Sequence, residues 1–242
     1  MADAHFEERR LAEIYDPLEA DRGDLEAYVG LVEEFEAQTV LDIGCGTGTF
    51  ACLLANRGIE VVAVDPAEAS LAVARRKLGA ERVRWLRGDA MELPPLQVDL
   101  VTMTGNVAQV FLSDDDWRAT LLRAHDALRP GGRLVFEIRD PDQQAWREWN
   151  REQSYRRTDL AEDGIVESWT EVTAVLGDLV SFRTTFAFDS DGETFTSEST
   201  LRFRHRCEVA ASLRRANFTV EEVREAPDRP GREFVFIARR AS

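Results

Sequence analysis

The segment Val40-Leu-Asp-Ile-Gly-Cys-Gly-Thr-Gly-Thr-Phe50 constrains the fold more than any other stretch of this chain. An apolar run at 39–43 passes through Gly44, Gly46 and Gly48 and enters a helical pattern at 47–57, closed by Gly58. Glycines let a backbone turn sharply and let a ligand approach without a Cβ in the way, and a helix N-terminus offers free N–H groups. The alternation then continues. Strand patterns at 60–64, 82–86, 98–104 and 133–138 are separated by helical patterns at 67–78 and 114–128. Such β-α-β alternation implies a parallel sheet with helices on both faces.

The flanks read differently. Residues 1–38 are helical in pattern, with Asp24 placed to cap a helix that carries Leu25, Tyr28, Val29, Val32 and Phe35 on one face. Between 164 and 204 the period falls to two: Val180, Phe182, Thr184, Phe186 and Phe188 share one face, as do Phe195, Ser197, Ser199, Leu201 and Phe203. Turn signals at 176–179 and 189–192 make this a three-stranded antiparallel meander. A helix at 206–216 and strands at 219–224 and 233–238 follow. The expected division is an N-terminal helical segment at 1–38, a core at 39–140 and 206–242, and an inserted cap at 141–205.

Composition narrows the partners. A formal net charge of -15 disfavours nucleic acid. Arg202, Arg204 and Arg206 are the nearest thing to a basic patch, and their alternation fits the solvent face of a strand. Cys45, Cys52 and Cys207 have no metal-ligand or disulfide spacing, so no metal is expected. No signal peptide and no run of 18 apolar residues is visible, which predicts a cytoplasmic protein with no membrane partner.

The glycine spacing is G-x-G-x-G, with Thr49 where a dinucleotide-binding loop would carry its third glycine. Asp65 ends the second strand, Leu86-Arg-Gly-Asp-Ala-Met-Glu-Leu-Pro94 follows the third, and Leu128-Arg-Pro-Gly-Gly-Arg-Leu-Val-Phe-Glu137 opens the fifth. In that order, over 39–140, these motifs resemble class I S-adenosylmethionine-dependent methyltransferases. The resemblance implies a Rossmann-like seven-stranded, mostly parallel sheet whose last strand is antiparallel, with the meander as a cap over the strand ends.

It also implies S-adenosyl-L-methionine as cofactor. Asp42, Gly44, Cys45 and Gly46 would form its first binding motif, with Asp65 and the adjacent Pro66 at the ribose. Asp89 would lie at the adenine amino group and Ala90 would make a backbone contact beside it. The loop after the fourth strand, with Thr104, Asn106 and Gln109, would pass the sulfonium and face the acceptor. Tyr15 would close over the methionine end, and Arg22 would meet its carboxylate. No general base is legible; Tyr15 and Asn106 are the catalytic candidates.

Structural roles compete at several positions. Asp65-Pro-Ala-Glu68 is a helix start with Asp as cap, and Asn106 can brace its loop. Ser113 with Asp114–Asp116 reads as a helix cap, His5 as part of a polar tail, and Trp146, Trp149 and Trp169 as packing. The expected reaction is methyl transfer to a nitrogen or oxygen of a small-molecule acceptor. The alternatives are a non-catalytic S-adenosylmethionine-binding protein and a nicotinamide-dependent oxidoreductase, and the meander could serve a homodimer instead of a cap.

Overall fold

The computed structural model describes residues 3–160 and 164–241. The outermost ends of the N-terminal and C-terminal spans, and residues 161–163 of the expected cap, lie outside the described residues. The chain opens with helices α1 (Ala4–Glu7), α2 (Arg9–Leu18) and α3 (Asp24–Glu34). It continues as β1 (Thr39–Ile43), α4 (Thr49–Asn56), β2 (Glu60–Asp65), α5 (Glu68–Ala74), β3 (Val83–Arg87), β4 (Val98–Met103), α6 (Asp114–Ala127) and β5 (Leu128–Arg139). After short helical turns come α7 (Arg151–Ser154), β6 (Arg156–Leu160), β7 (Gly164–Leu176), β8 (Leu179–Phe188) and β9 (Thr194–Arg202). Helix α8 (Arg206–Arg215), β10 (Phe218–Glu225) and β11 (Glu233–Arg240) complete the fold.

Seven strands form one sheet in the order β10-β11-β5-β4-β1-β2-β3, and only β11 runs against its neighbours. The expected Rossmann-like sheet with an antiparallel last strand is therefore present. Successive strand residues point to opposite faces. Leu41, Val101, Leu134 and Phe136 pack with Trp117, Leu121, Val209 and Leu213 of α6 and α8. On the other face Val40, Leu100, Val135 and Val235 pack with Leu25, Tyr28, Phe50 and Leu54 of α3 and α4. Among the described residues no helix is long and apolar enough to cross a membrane.

The second sheet has four strands, β6-β7-β8-β9, all antiparallel, one more than the periodicity predicts. The extra strand, Arg-Arg-Thr-Asp-Leu at 156–160, buries only Leu160, so an edge strand with one apolar anchor leaves no alternating signal. Val166, Phe186 and Phe188 pack on Leu11 and Ile14 of α2, which joins this sheet to the N-terminal helices.

Four local expectations are corrected. Gly23 is the N-cap of α3, and Asp24 is its first residue, paired with Arg22. Ala67, not Asp65, is the N-cap of α5: the helix begins at Glu68, three residues beyond Asp65, whose carboxylate instead accepts from the Ala67 N–H. Arg202, Arg204 and Arg206 do not share a strand's outer face: β9 stops at Arg202, Arg204 is buried, and Arg206 opens α8. His5 is not in a polar tail. Its ring lies 4.8 Å from that of Phe186 and 5.3 Å from that of Tyr15, and burial lowers its pKa to about 4. Ser113 does cap α6, accepting from the Asp116 N–H at 3.0 Å.

Candidate functional site

The parallel strands end together, and on the α3–α4 face their last inward positions are polar. Asp65 on β2, Asp42 on β1, Thr102 on β4, Glu137 on β5 and Glu233 at the start of β11 occupy five neighbouring strands. Four of the five are carboxylates, all buried. Burying a carboxylate without partners is costly, so each one's hydrogen bonds matter.

Asp65 is satisfied by the turn it supports. Its Oδ2 accepts from the Gly46 N–H at 2.8 Å and its Oδ1 from the Ala67 N–H at 2.8 Å. A carboxylate can accept about four hydrogen bonds, so two positions remain for a ligand. Burial raises its pKa, against the two backbone donors. Gly44 and Cys45 meanwhile donate to the Val64 carbonyl at 2.8 and 3.1 Å, which closes the glycine loop over β2.

Asp42 is less well served. The Thr102 hydroxyl donates to its Oδ1 at 2.8 Å, but its Oδ2 is buried with no partner. The residue is 1% exposed, and burial raises its pKa to about 7, with smaller contributions from Asp65 and Glu137. Glu137 sits two strands away. It accepts from the Tyr28 hydroxyl and, at 2.5 Å, from the Asn106 N–H, and burial raises its pKa to about 7.

That second bond holds the loop after β4. Asn106 has a positive φ of 63°, and its side-chain nitrogen reaches Glu233 at 3.4 Å, while its Oδ1 is buried without a partner. Thr104 precedes it, half-buried. Gln109 is engaged at both ends of its amide: its oxygen accepts from the N–H and guanidinium of Arg139 at 3.3 Å, and its nitrogen donates to the Arg202 carbonyl at 3.4 Å.

The N-terminal helices reach this region through Asp16, which sequence reasoning passed over. Asp16 accepts from the Thr47 and Thr49 hydroxyls at 2.6 and 3.2 Å and pairs with Lys77 at 2.6 Å. Helix α2 is thereby pinned to the glycine loop, and Tyr15 is carried beside it. Burial raises the Tyr15 pKa, with Arg22 opposing, so its phenol stays neutral at physiological pH. Arg22 is held by Asp24 through two bonds of 3.1 and 3.2 Å. Asp89 is exposed and accepts from the Met91 N–H at 2.7 Å, Ala90 is buried, and Pro66 is exposed. Replacing Asp16 by Ala should cost about 1–2 kcal/mol of stability and hasten proteolysis ahead of residue 20. Limited trypsin digestion, with the folded core as internal standard, measures this; an unchanged cleavage rate would refute the pin.

Glu137, Tyr28 and Glu233 were also missed. One signal was available: a lone glutamate inside the apolar run 134–138 is rarely accidental.

Comparison with known proteins fits this geometry. A family model described as a methyltransferase domain matches residues 40–132. A solved S-adenosylmethionine-dependent methyltransferase from Clostridium acetobutylicum superposes with a TM-score of 0.77 at 18% identity, over 96% of this chain and 98% of that one. Residues 40–132 thus match a methyltransferase domain, within a chain that has the fold of an S-adenosylmethionine-dependent methyltransferase. A protein of Geobacillus sp. (strain WCH70) assigned as a methyltransferase is 26% identical to it, over 84% of this chain and 85% of that one. Other curated methyltransferases at 30–40% identity match over about half of their own length. The sugar N-methyltransferase KedS8 of Streptoalloteichus sp. ATCC 53650 shares the methyltransferase fold, with a TM-score of 0.76 at 20% identity, over 94% of this chain and 93% of that one.

The solved neighbour is S-adenosylmethionine-dependent, and the residues present here fit that cofactor. The orphaned Asp42 Oδ2 suits an ammonium group, and the space where a Cβ of Gly46 would stand is open.

Proposed function

We propose that this protein transfers a methyl group from S-adenosylmethionine to a nitrogen or oxygen of a small-molecule acceptor, an amine nitrogen being favoured. When bound, the cofactor supplies an electrophilic methyl group on a sulfonium. The protein's task is then alignment and exclusion of water. In this reading Asp42 accepts from the cofactor's ammonium, Asp65 from its ribose hydroxyls and Asp89 from its adenine amino group. Gly44, Cys45, Gly46, Pro66 and Ala90 give backbone and contact surface. Tyr15 covers the methionine end, with Arg22 nearby, and Thr104 and Asn106 face the acceptor.

One observation carries the proposal: the buried Asp42 Oδ2 has no protein partner and lies beside an open glycine loop, which suits a ligand's ammonium donor. The amine preference is supported by the likeness to the sugar N-methyltransferase, which extends over the second sheet as well as the first. Methylation of a neutral amine releases no proton that must be removed before attack, which suits a site without an evident base. The second sheet and the N-terminal segment would cover the acceptor, and the cytoplasm would be the place of action.

S-adenosylhomocysteine should raise the melting temperature by roughly 5–10 °C at about 100 times its dissociation constant. Asp65→Ala should weaken its binding roughly tenfold to hundredfold, measured by calorimetry. Asp65→Asn should fall between, since it can still accept from backbone N–H groups. Incubating labelled S-adenosylmethionine with a panel of amines and hydroxy compounds then tests turnover. Binding with no transfer across the panel would favour the non-catalytic reading, and no binding would overturn both.

A further inference from the structure

The end of β9, the connection at Arg204 and the helices α6 and α8 line a cavity of about 400 Å³, to which no residue of the glycine loop contributes. This volume falls in the range of about 300–1,000 Å³ found for small-ligand sites. Its lining is unusually rich in guanidinium groups: Arg118, Arg202, Arg204 and Arg215.

Arg204 is the anomaly. It is 5% exposed, and its Nε is buried with no hydrogen-bond partner. One terminal nitrogen donates to the Phe111 and Ser113 carbonyls at 2.7 and 3.2 Å, and the group lies 5.4 Å from the Trp117 ring. No carboxylate pairs with it among the described residues. A buried charge normally has a counter-ion, because desolvation costs several kcal/mol. Burial and the neighbouring Arg202 lower its pKa to about 10, so the guanidinium is still charged at neutral pH.

Asp114, Asp178 and Glu208 act on Arg204 through space, but none forms an ion pair or hydrogen bond with it among the described residues. Asp114 is taken by Arg202 at 2.8 Å, and Asp178, outside the lining, takes the same guanidinium at 2.6 Å. Glu208 accepts from the His205 N–H at 2.8 Å. Asp115 is exposed at the rim, where Arg118 and Arg215 have no ion pair among the described residues. Three guanidiniums without an ion pair, Arg118, Arg204 and Arg215, thus face the space beside two carboxylates, Asp115 and Glu208, that also have none among the described residues. The planar guanidinium fork matches phosphate oxygens, and the volume exceeds what a bare phosphate needs.

We propose that this cavity is a binding site for a phosphate group carried by a small organic molecule, with Arg204 as the buried counter-ion and Arg118 and Arg215 at the mouth. The site is separate from the cofactor cradle and does not depend on the acceptor's identity.

Inorganic phosphate and phenyl phosphate serve as probes, each compared with sodium chloride at equal ionic strength. A saturable rise in melting temperature of roughly 3–6 °C is expected at about tenfold the dissociation constant. Phenyl phosphate should bind at least as tightly as phosphate. Arg204→Gln should weaken both at least tenfold; because this change also removes bonds to two carbonyls, the double variant Arg118→Gln/Arg215→Gln, altered only at exposed positions, is measured beside it. The double variant should weaken both probes severalfold while keeping its response to S-adenosylhomocysteine. No saturable response in the wild type up to ~50 mM of either probe, or an equal response in the double variant, would overturn the site. Phenyl phosphate binding tenfold weaker than phosphate would overturn the organic body. A missing response to S-adenosylhomocysteine in the wild type would speak only against the cofactor site.

Discussion

Replacing Asp42 by Asn should make the ligand-free protein more stable and, at the same time, a poorer binder of S-adenosylmethionine. The carboxyl is raised from 3.8 to about 7 by burial, so the folded state holds its proton where the unfolded chain has lost it. Between those values the folded state binds more protons, and stability falls as pH rises through the window. At one pKa unit per 1.36 kcal/mol, ionised Asp42 costs on the order of 4 kcal/mol above pH 7. Asn still accepts from Thr102 but leaves an amide N–H unpaired, which returns about 1–3 kcal/mol. The net gain at pH 8 is about 1–3 kcal/mol. The change with pH is the cleaner measure: relative to wild type, the variant should gain about 3 kcal/mol between pH 5 and pH 8. Urea unfolding at both pH values reads this directly. Glu137, with the same sign and a window from 4.5 to about 7, stays in both proteins and cancels. Parallel stability curves would mean that Asp42 is not a strained carboxylate. Cofactor affinity should drop tenfold to hundredfold, as for loss of a charge-assisted bond.

The second large effect separates two glycines of one loop. At Gly48, φ is +74° and an added Cβ would stand 2.4 Å from the Trp85 ring and 2.8 Å from the Ala74 Cβ. Gly48→Ala therefore combines a left-handed penalty of about 1–2 kcal/mol with an overpacking cost of about 1–3 kcal/mol. Unfolding should become easier by about 2–5 kcal/mol, and Trp85→Leu in the same chain should restore part of the clash term. At Gly46, φ is +53° but nothing lies within 4 Å of the added atom. Gly46→Ala should cost only the left-handed penalty, and its main effect should be weaker S-adenosylhomocysteine binding, since the methyl occupies the ligand's approach. Equal stability losses in the two variants would refute this division.

Much of the fold was legible because period and punctuation agreed: apolar strands, glycine-ended helices and a change to period two mark the two sheets. What stayed hidden had no periodic trace. The edge strand at 156–160 buries one side chain, and the packing of His5 against the second sheet depends on residues nearly two hundred positions away. The glycine loop and the acids at 42, 65 and 89 could be nominated from their order along the chain. Asp16 could not: its partners at 47, 49 and 77 meet only after α2 has folded back over the loop. Glu137 stood in plain view as a charge in an apolar strand, but its partners, Tyr28 and the Asn106 N–H, lie on separate elements.

Helix α2 carries one further consequence. One side of it, through Asp16, is fastened to the glycine loop; another, through Leu11 and Ile14, is packed on the four-stranded sheet. In a mechanical sense it is a shared wall between two rooms. Whatever free energy a ligand in one room spends to still that wall need not be spent again by a ligand in the other. Thermodynamic reciprocity makes the two gains equal. A wall shared in this way favours joint occupancy by the same margin whichever ligand arrives first, written into ten residues that belong to neither sheet.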